Sequence, residues 1–231
     1  MVDTRERRAA ARKLERIDGI LESVFGRVGF EKDDPLDALM WTILSQSTSD
    51  VNSLRAYEAM RRAFPTWQEV LEAPRARLKE VLRPGGLART KSARIQGILR
   101  AIAETRGALN LDNLWDMATP DAEDYLLAFD GVGLKTTRCV LLFAMGRGVF
   151  PVDTHITRIL KRVGVADPRA SAEKVHEIVA PLVPEARCLT LHVNLIRHGR
   201  RTCHPRNPTC STCEIRRCCN TWKRTRAAER S

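Results

Sequence analysis

The stretch PDAEDYLLAFDGVGLKTTRCVLLFAM, residues 120–145, decides how the rest of the chain is read. Its apolar residues keep a helical period from Pro120 to Phe129 and again from Leu134 to Met145, with Asp130-Gly131-Val132-Gly133 between them. Two glycines around one apolar residue permit a tight turn whose backbone N–H groups can approach an anion closely, and the following helix adds the positive end of its dipole. The pattern predicts helix, hairpin, helix, with Gly131, Val132 and Gly133 placed to grip one phosphate. A lone Gly-x-Gly is also an ordinary connection between helices. Lys135 changes the weight of this one. A cation in the first turn opposes the dipole, so its position has no stability reason and suggests chemistry. An amine in a dry site gives up its charge more readily and becomes a nucleophile able to form a Schiff base with a sugar aldehyde carbon.

Outward from this stretch the period stays helical. Leu36, Leu39, Met40, Ile43 and Leu44 mark one helix, with Asp34 placed as its cap and Pro35 in its first turn. Val51, Leu54, Tyr57, Met60 and Phe64 give a second apolar face, and Ile95, Ile98, Leu99 and Ile102 a third. Val175, Ile178, Val179 and Leu182 continue the pattern, followed by Leu189 to Ile196. Only Val149 to Val152 looks strand-like, and Pro151 spoils it. Turns fall at Pro65, Pro84-Gly85-Gly86, Thr119-Pro120 and Pro184. The expectation is an all-α fold of many short helices.

With 231 residues, 43% hydrophobic and 29% charged, the chain has material for a real core in one or two domains and is neither disordered nor fibrous. Its longest apolar run, Cys139 to Met145, is too short for a bilayer, and MVDTRERRAAARK has the charge of a signal peptide without its apolar stretch. A soluble cytoplasmic protein is expected, with no membrane partner. The net charge of +11 makes a polyanion the obvious partner, and residues 197–231 hold ten Lys or Arg against Glu214 and Glu229. Five of the seven cysteines (Cys203, Cys210, Cys213, Cys218 and Cys219) fall in that segment. An odd cysteine count without a secretory signal argues for a metal or cluster site over a disulfide framework. Thiolates suit both iron and zinc, and the single paired knuckle, Cys210-x2-Cys213, leans toward iron. Cys139 and Cys188 lie in apolar surroundings and are expected as small core residues. Val152-Asp153-Thr154-His155 opens another helix, with Asp153 or Thr154 as its cap and His155 in a structural role.

The assembled order L-x-x-F-D-G-V-G-x-K-T, V-D-T-H, H-G-R and C-x6-C-x2-C-x5-C, from about Leu36 to Cys219, resembles the endonuclease III family of helix-hairpin-helix DNA glycosylases. The resemblance implies two all-α lobes: a six-helix barrel near residues 37–147, and an iron–sulfur lobe from residues 1–36 plus 148–231. DNA is expected in the cleft between them. It implies that Lys135 attacks C1′ of the damaged nucleotide and that Asp153 is the catalytic aspartate. It also implies a [4Fe-4S] cluster on Cys203, Cys210, Cys213 and Cys219, with Cys218 left out. Arg200, Arg201, Arg206, Arg216 and Arg217 would then form a basic loop meeting DNA phosphates. The implied protein is a monomeric bifunctional glycosylase and abasic-site lyase, acting on duplex DNA with oxidised pyrimidines or abasic sites.

Two wedge side chains are expected to hold open the gap left by an extruded nucleotide. Leu44 to Asp50 resembles the family's Gln-containing loop; an ungapped match puts Ser47 at the wedge position, and Gln46 is taken as the wedge. Leu87, in a Gly-Leu pair followed by Lys91, is the second; the bland alternative is a contact closing a helix turn. Asp130 stands where the family commonly has proline, which predicts weaker DNA binding, and the basic tail around Trp222, Lys223, Arg224 and Arg226 is either ordered and compensating or disordered. Two alternatives stay open: a monofunctional adenine or mismatch glycosylase, against which Lys135 argues, and a weakly active DNA-binding paralogue, against which Lys135 and Asp153 together argue.

Overall fold

The computed structural model describes residues 4–228; the three residues at each end, part of the expected iron–sulfur lobe, lie outside the described residues. In chain order the helices are α1 (Thr4–Phe25), α2 (Pro35–Ser45), α3 (Asp50–Ala63), α4 (Trp67–Glu72), α5 (Arg75–Val81), α6 (Ala88–Arg106), α7 (Thr119–Leu127), α8 (Leu134–Phe143), α9 (Thr154–Val163), α10 (Ala172–Val179), α11 (Cys188–Arg201) and α12 (Asn220–Ala228). Short 3-10 turns join several of them, and no strand occurs among the described residues. The all-α expectation holds. Val149 to Val152 is irregular chain, with Phe150 and Val152 buried. The chain divides into two compact units, Glu31–Met145, and Met1–Phe30 with Gly146–Ser231.

In the first unit, Asp34 caps α2 by accepting from the N–H groups of Leu36 (2.8 Å) and Asp37 (2.9 Å), a contribution of about 1 kcal/mol. α2 buries Leu36, Leu39, Met40, Ile43 and Leu44 and packs against α8, which buries Val140, Leu141 and Leu142. Ile95, Ile98, Leu99 and Ile102 of α6 are all buried, and at about 1.5–3 kcal/mol each they are a main source of cohesion. Arg138 of α8 bonds Glu123 of α7 at 2.6 Å, tying the two helices beside the hairpin.

The expected face of α3 needs correction. Met60 is buried as expected, but Val51 and Leu54 are 60% and 47% exposed, and Ser53 and Ala56 are buried in their place. The 3-10 turn Arg83–Gly85 packs on α3 so closely that a Cβ on Gly85 would stand 2.8 Å from that of Ala56. Backbone approach at this distance admits only small side chains, so the helix turns its small residues inward.

In the second unit, Leu14, Ile17 and Leu21 of α1 are buried where α1 packs on α11. Arg187 bonds both Asp18 and Glu22 at 2.6 Å. α9 packs against α10 and α11. The tail whose order the sequence left open is helical as α12, and Lys13 Nζ anchors its start by donating to Val163 O (2.9 Å) and Asn220 Oδ1 (3.3 Å). Cys139 and Cys188 are buried core residues, as expected. Among the described residues no helix is long and apolar enough to cross a membrane.

Candidate active site and cysteine cavity

In the unit Glu31–Met145, residues 128–133 connect α7 to α8, and the glycine hairpin is residues 130–133 of that connection. Gly131 has φ +75°, a conformation L side chains rarely adopt, and Val132 is buried beneath the turn with its N–H donating to Phe129 O at 3.0 Å. Val132 thus anchors the hairpin, while Gly131 and Gly133 are exposed and present their backbone at the start of α8. Lys135 is the second residue of α8 and is half-buried; Thr136 beside it is buried. Asp130 is exposed.

The two expected wedge loops lie in the same unit, and both carry backbone strain. Ser47 has φ +53° and Leu87 φ +48°, each a non-glycine residue in the left-handed region, at about 1–3 kcal/mol apiece. Leu87 is 58% exposed at the N-terminus of α6, so it is not a packed closure of the turn. Gln46 differs from the expectation of a free wedge. Its amide is engaged within the unit, Oε1 accepting from Arg94 NH1 at 2.7 Å and Nε2 donating to Thr136 Oγ1 at 3.1 Å, and the exposed tip of the loop is Ser47. Lys91 is 2% exposed and donates to Leu44 O (2.7 Å) and Gly85 O (2.8 Å). Burial pulls its ammonium below the usual lysine range. One lysine therefore ties the end of α2, just before the Gln46 loop, to the turn just before Leu87. Sequence reasoning missed the parts of Lys91 and Arg94, because a basic residue on an amphipathic helix reads as a solvated face.

Asp153, in the other unit, is the N-cap of α9, its Oδ1 accepting from Ile156 N–H at 2.8 Å. His155 meets Arg158 NH2 through Nδ1 (3.0 Å), and the same arginine donates to Gly199 O (3.1 Å) and Cys203 O (2.9 Å). The imidazole sits below its ordinary range, chiefly through burial. One turn on, Arg162 donates to Cys203 Sγ (3.2 Å), His204 O (2.6 Å) and Pro205 O (3.0 Å). These arginines, four apart on one face of α9, hold the entry to the cysteine loop; their i, i+4 spacing beside the Asp153 cap was the available signal.

Cys203, Cys210, Cys213 and Cys219 line one cavity of about 100 Å³, walled by apolar side chains including Ile159, Val163 and Ile215. Cys218 is buried and does not line it. Burial pushes the Cys213 thiol up to about 12 and raises Cys210 as well, with the neighbouring cysteines adding to the effect. His198, driven to about 4 mainly by burial, has Nε2 3.8 Å from Cys213 Sγ. Among the described residues no three His, Cys, Asp or Glu side chains group as they would around a single metal ion. Four thiols around one largely apolar cavity, with Arg162 donating to one sulfur, form a thiolate donor set that fits a bound iron–sulfur cluster. Arg200 and Arg206 are exposed on the same segment, and Arg201 pairs with Glu214 and stacks on Phe25.

Residues 40–185 match the family model of the HhH-GPD superfamily base excision DNA repair proteins. The chain is 31% identical over 194 residues to the endonuclease III of Thermotoga maritima, covering 84% of this chain and 86% of that one. It is 34% identical over 184 residues to an Arabidopsis thaliana protein named as a DNA glycosylase, covering 80% of this chain and 60% of that protein's length. A solved structure of a non-covalent endonuclease III–DNA complex superposes with a TM-score of 0.81 at 23% identity, covering 94% of this chain and 98% of that one, a likeness of fold.

Proposed function

We propose, since the chain belongs to the HhH-GPD superfamily of base excision DNA repair proteins and within it to the endonuclease III-like glycosylases, that it is a bifunctional DNA glycosylase and abasic-site lyase. Its substrate is duplex DNA carrying oxidised pyrimidines or abasic sites. The observation that carries this reading is Lys135, half-buried in the first turn of α8 behind the glycine hairpin; in the other unit Asp153 is fixed as the N-cap of α9.

The hairpin amides of Gly131 and Gly133, with the N-terminal dipole of α8, hold a phosphate. The loop carrying Gln46, together with Leu87, supports the gap in the stack, and Arg200 and Arg206 add phosphate contacts. The cap bond to Oδ1 sets the direction of the Asp153 carboxylate, which stabilises positive charge on the sugar as the base leaves. Lys135 Nζ, as the free amine, bonds to C1′ as the bond from C1′ to the base breaks, its N–H proton passes to the departing base, and ring opening gives a Schiff base. Loss of the C2′ proton then expels the 3′ phosphate by β-elimination. Cys203, Cys210, Cys213 and Cys219 would hold a [4Fe-4S] cluster, which staples the basic loop in place.

Borohydride trapping on duplexes carrying thymine glycol or an abasic site tests this reading, with Lys135→Ala beside wild type. A covalent complex on the thymine glycol duplex that vanishes in the variant is expected. Base release without trapping would make the protein monofunctional. Trapping on the abasic duplex alone would leave the base assignment wrong.

A further inference from the structure

Arg94 of α6 is half-buried, and among the described residues it has no carboxylate partner. Its guanidinium instead meets two segments far apart in the chain, the Gln46 loop and the glycine hairpin, and Gln46 carries the contact on to Thr136. NH1 donates to Gln46 Oε1 at 2.7 Å, and Gln46 Nε2 donates to Thr136 Oγ1 at 3.1 Å. The same guanidinium lies against Gly131, where a Cβ would collide with its Nε and Cζ. Guanidinium is a donor only, so it fixes which way the Gln46 amide points: Oε1 toward Arg94, and hence the NH2 group toward Thr136. Thr136 is buried and adjoins Lys135. The strained Ser47, at the loop tip, follows Gln46 directly.

We propose that Arg94 is a positioning residue for the reaction: it locks the Gln46 loop, the glycine hairpin and the first turn of α8 into one rim, so that the loop and Lys135 are presented to the nucleotide in fixed register. This rests on the glycosylase and lyase reading above. Gln46 then acts as the link in the lock, with Ser47 the residue it holds outward. An amine and a loop that must engage one nucleotide lose rate steeply when their register drifts, since a displacement of about 1 Å is worth up to about 100-fold.

The test is single-turnover kinetics on a thymine glycol duplex, with affinity for the same duplex measured separately, for wild type, Arg94→Met, Gln46→Ala, Thr136→Val and the double variant Arg94→Met/Gln46→Ala. Each single change is expected to slow the single-turnover rate about 10- to 100-fold while affinity stays within about twofold. The double variant should be no slower than the worse single, because both remove one lock. Rate losses that multiply in the double variant would overturn the proposal. So would an unchanged rate with weaker binding and a shallower salt dependence, which would make Arg94 a phosphate contact. Should Arg94→Met not fold by circular dichroism, Gln46→Ala and Thr136→Val decide alone, on the same outcomes. A wild type that neither releases the base nor traps overturns the functional reading itself, and this one with it.

Discussion

Replacing Gly131 by alanine should damage the hairpin for two separable reasons. The residue has φ +75°, and holding an L residue in the left-handed region costs about 1–2 kcal/mol. The added Cβ also meets the Arg94 guanidinium, which must swing away and give up its 2.7 Å bond to Gln46, a charge-assisted contact of about 1.5–3 kcal/mol. Together these give about 2.5–5 kcal/mol. Gly133 is the internal control: its φ is −100° and nothing lies within 4 Å of its added Cβ, so Gly133→Ala should cost less than about 1 kcal/mol, the modest penalty of alanine at an N-cap. Urea unfolding followed by tryptophan fluorescence in a Trp222→Phe background reads this unit, since Trp41, Trp67 and Trp115, the other three of the four tryptophans, all belong to Glu31–Met145. In an Arg94→Ala background the effect of Gly131→Ala should shrink to its strain component of about 1–2 kcal/mol. Equal shifts for the two glycines, or an undiminished effect in that background, would refute the reasoning.

Lys91→Met should lower stability by about 2–4 kcal/mol, because Leu44 O and Gly85 O lose their shared buried donor; an unchanged thermal midpoint would count against that assignment. Burial, with Asp37 nearby, pushes the Tyr57 phenol up to about 12, against 10.0 for a free tyrosine. The unfolded phenol loses its proton first, so this contribution is complete below pH 10 and is lost as pH rises toward 12. The loss should be about 1–2 kcal/mol and absent from Tyr57→Phe, which comparing the two alkaline melting profiles will show. Cys203→Ser and Cys219→Ser should each lose iron and visible absorbance, whereas Cys218→Ser should keep both; iron loss in Cys218→Ser would displace Cys219 from the proposed ligand set.

Local order was legible in the chain, because it depends on neighbours a few residues away. The helical period, the Asp34 and Asp153 caps and the turn between α7 and α8 follow from side chains within one or two turns of where they act. The family was legible because four motifs stand in the right order, each meaningful at short range. Whatever depends on which backbone approaches which was not legible. The burial of Ser53 and Ala56 in place of Val51 and Leu54 follows from the nearness of Gly85, some thirty positions along, and no periodicity on α3 contains that information.

The sequence by itself determined an all-α chain, the glycine hairpin with Lys135 behind it, the aspartate opening α9 and a cysteine-rich basic segment. Each is an identity or a short-range spacing, and tertiary context can neither create nor erase it. Only the tertiary structure decided what the basic and amide side chains do. Lys91 sits buried between two carbonyls, Gln46 is held between Arg94 and Thr136, and Arg162 turns toward the sulfur of Cys203. A long polar side chain can reach many partners at similar cost in water, so its residue type says little about its role. Folding selects one partner by desolvating the site, where an unpaired donor or acceptor costs about 1–3 kcal/mol and a well-placed partner removes that penalty.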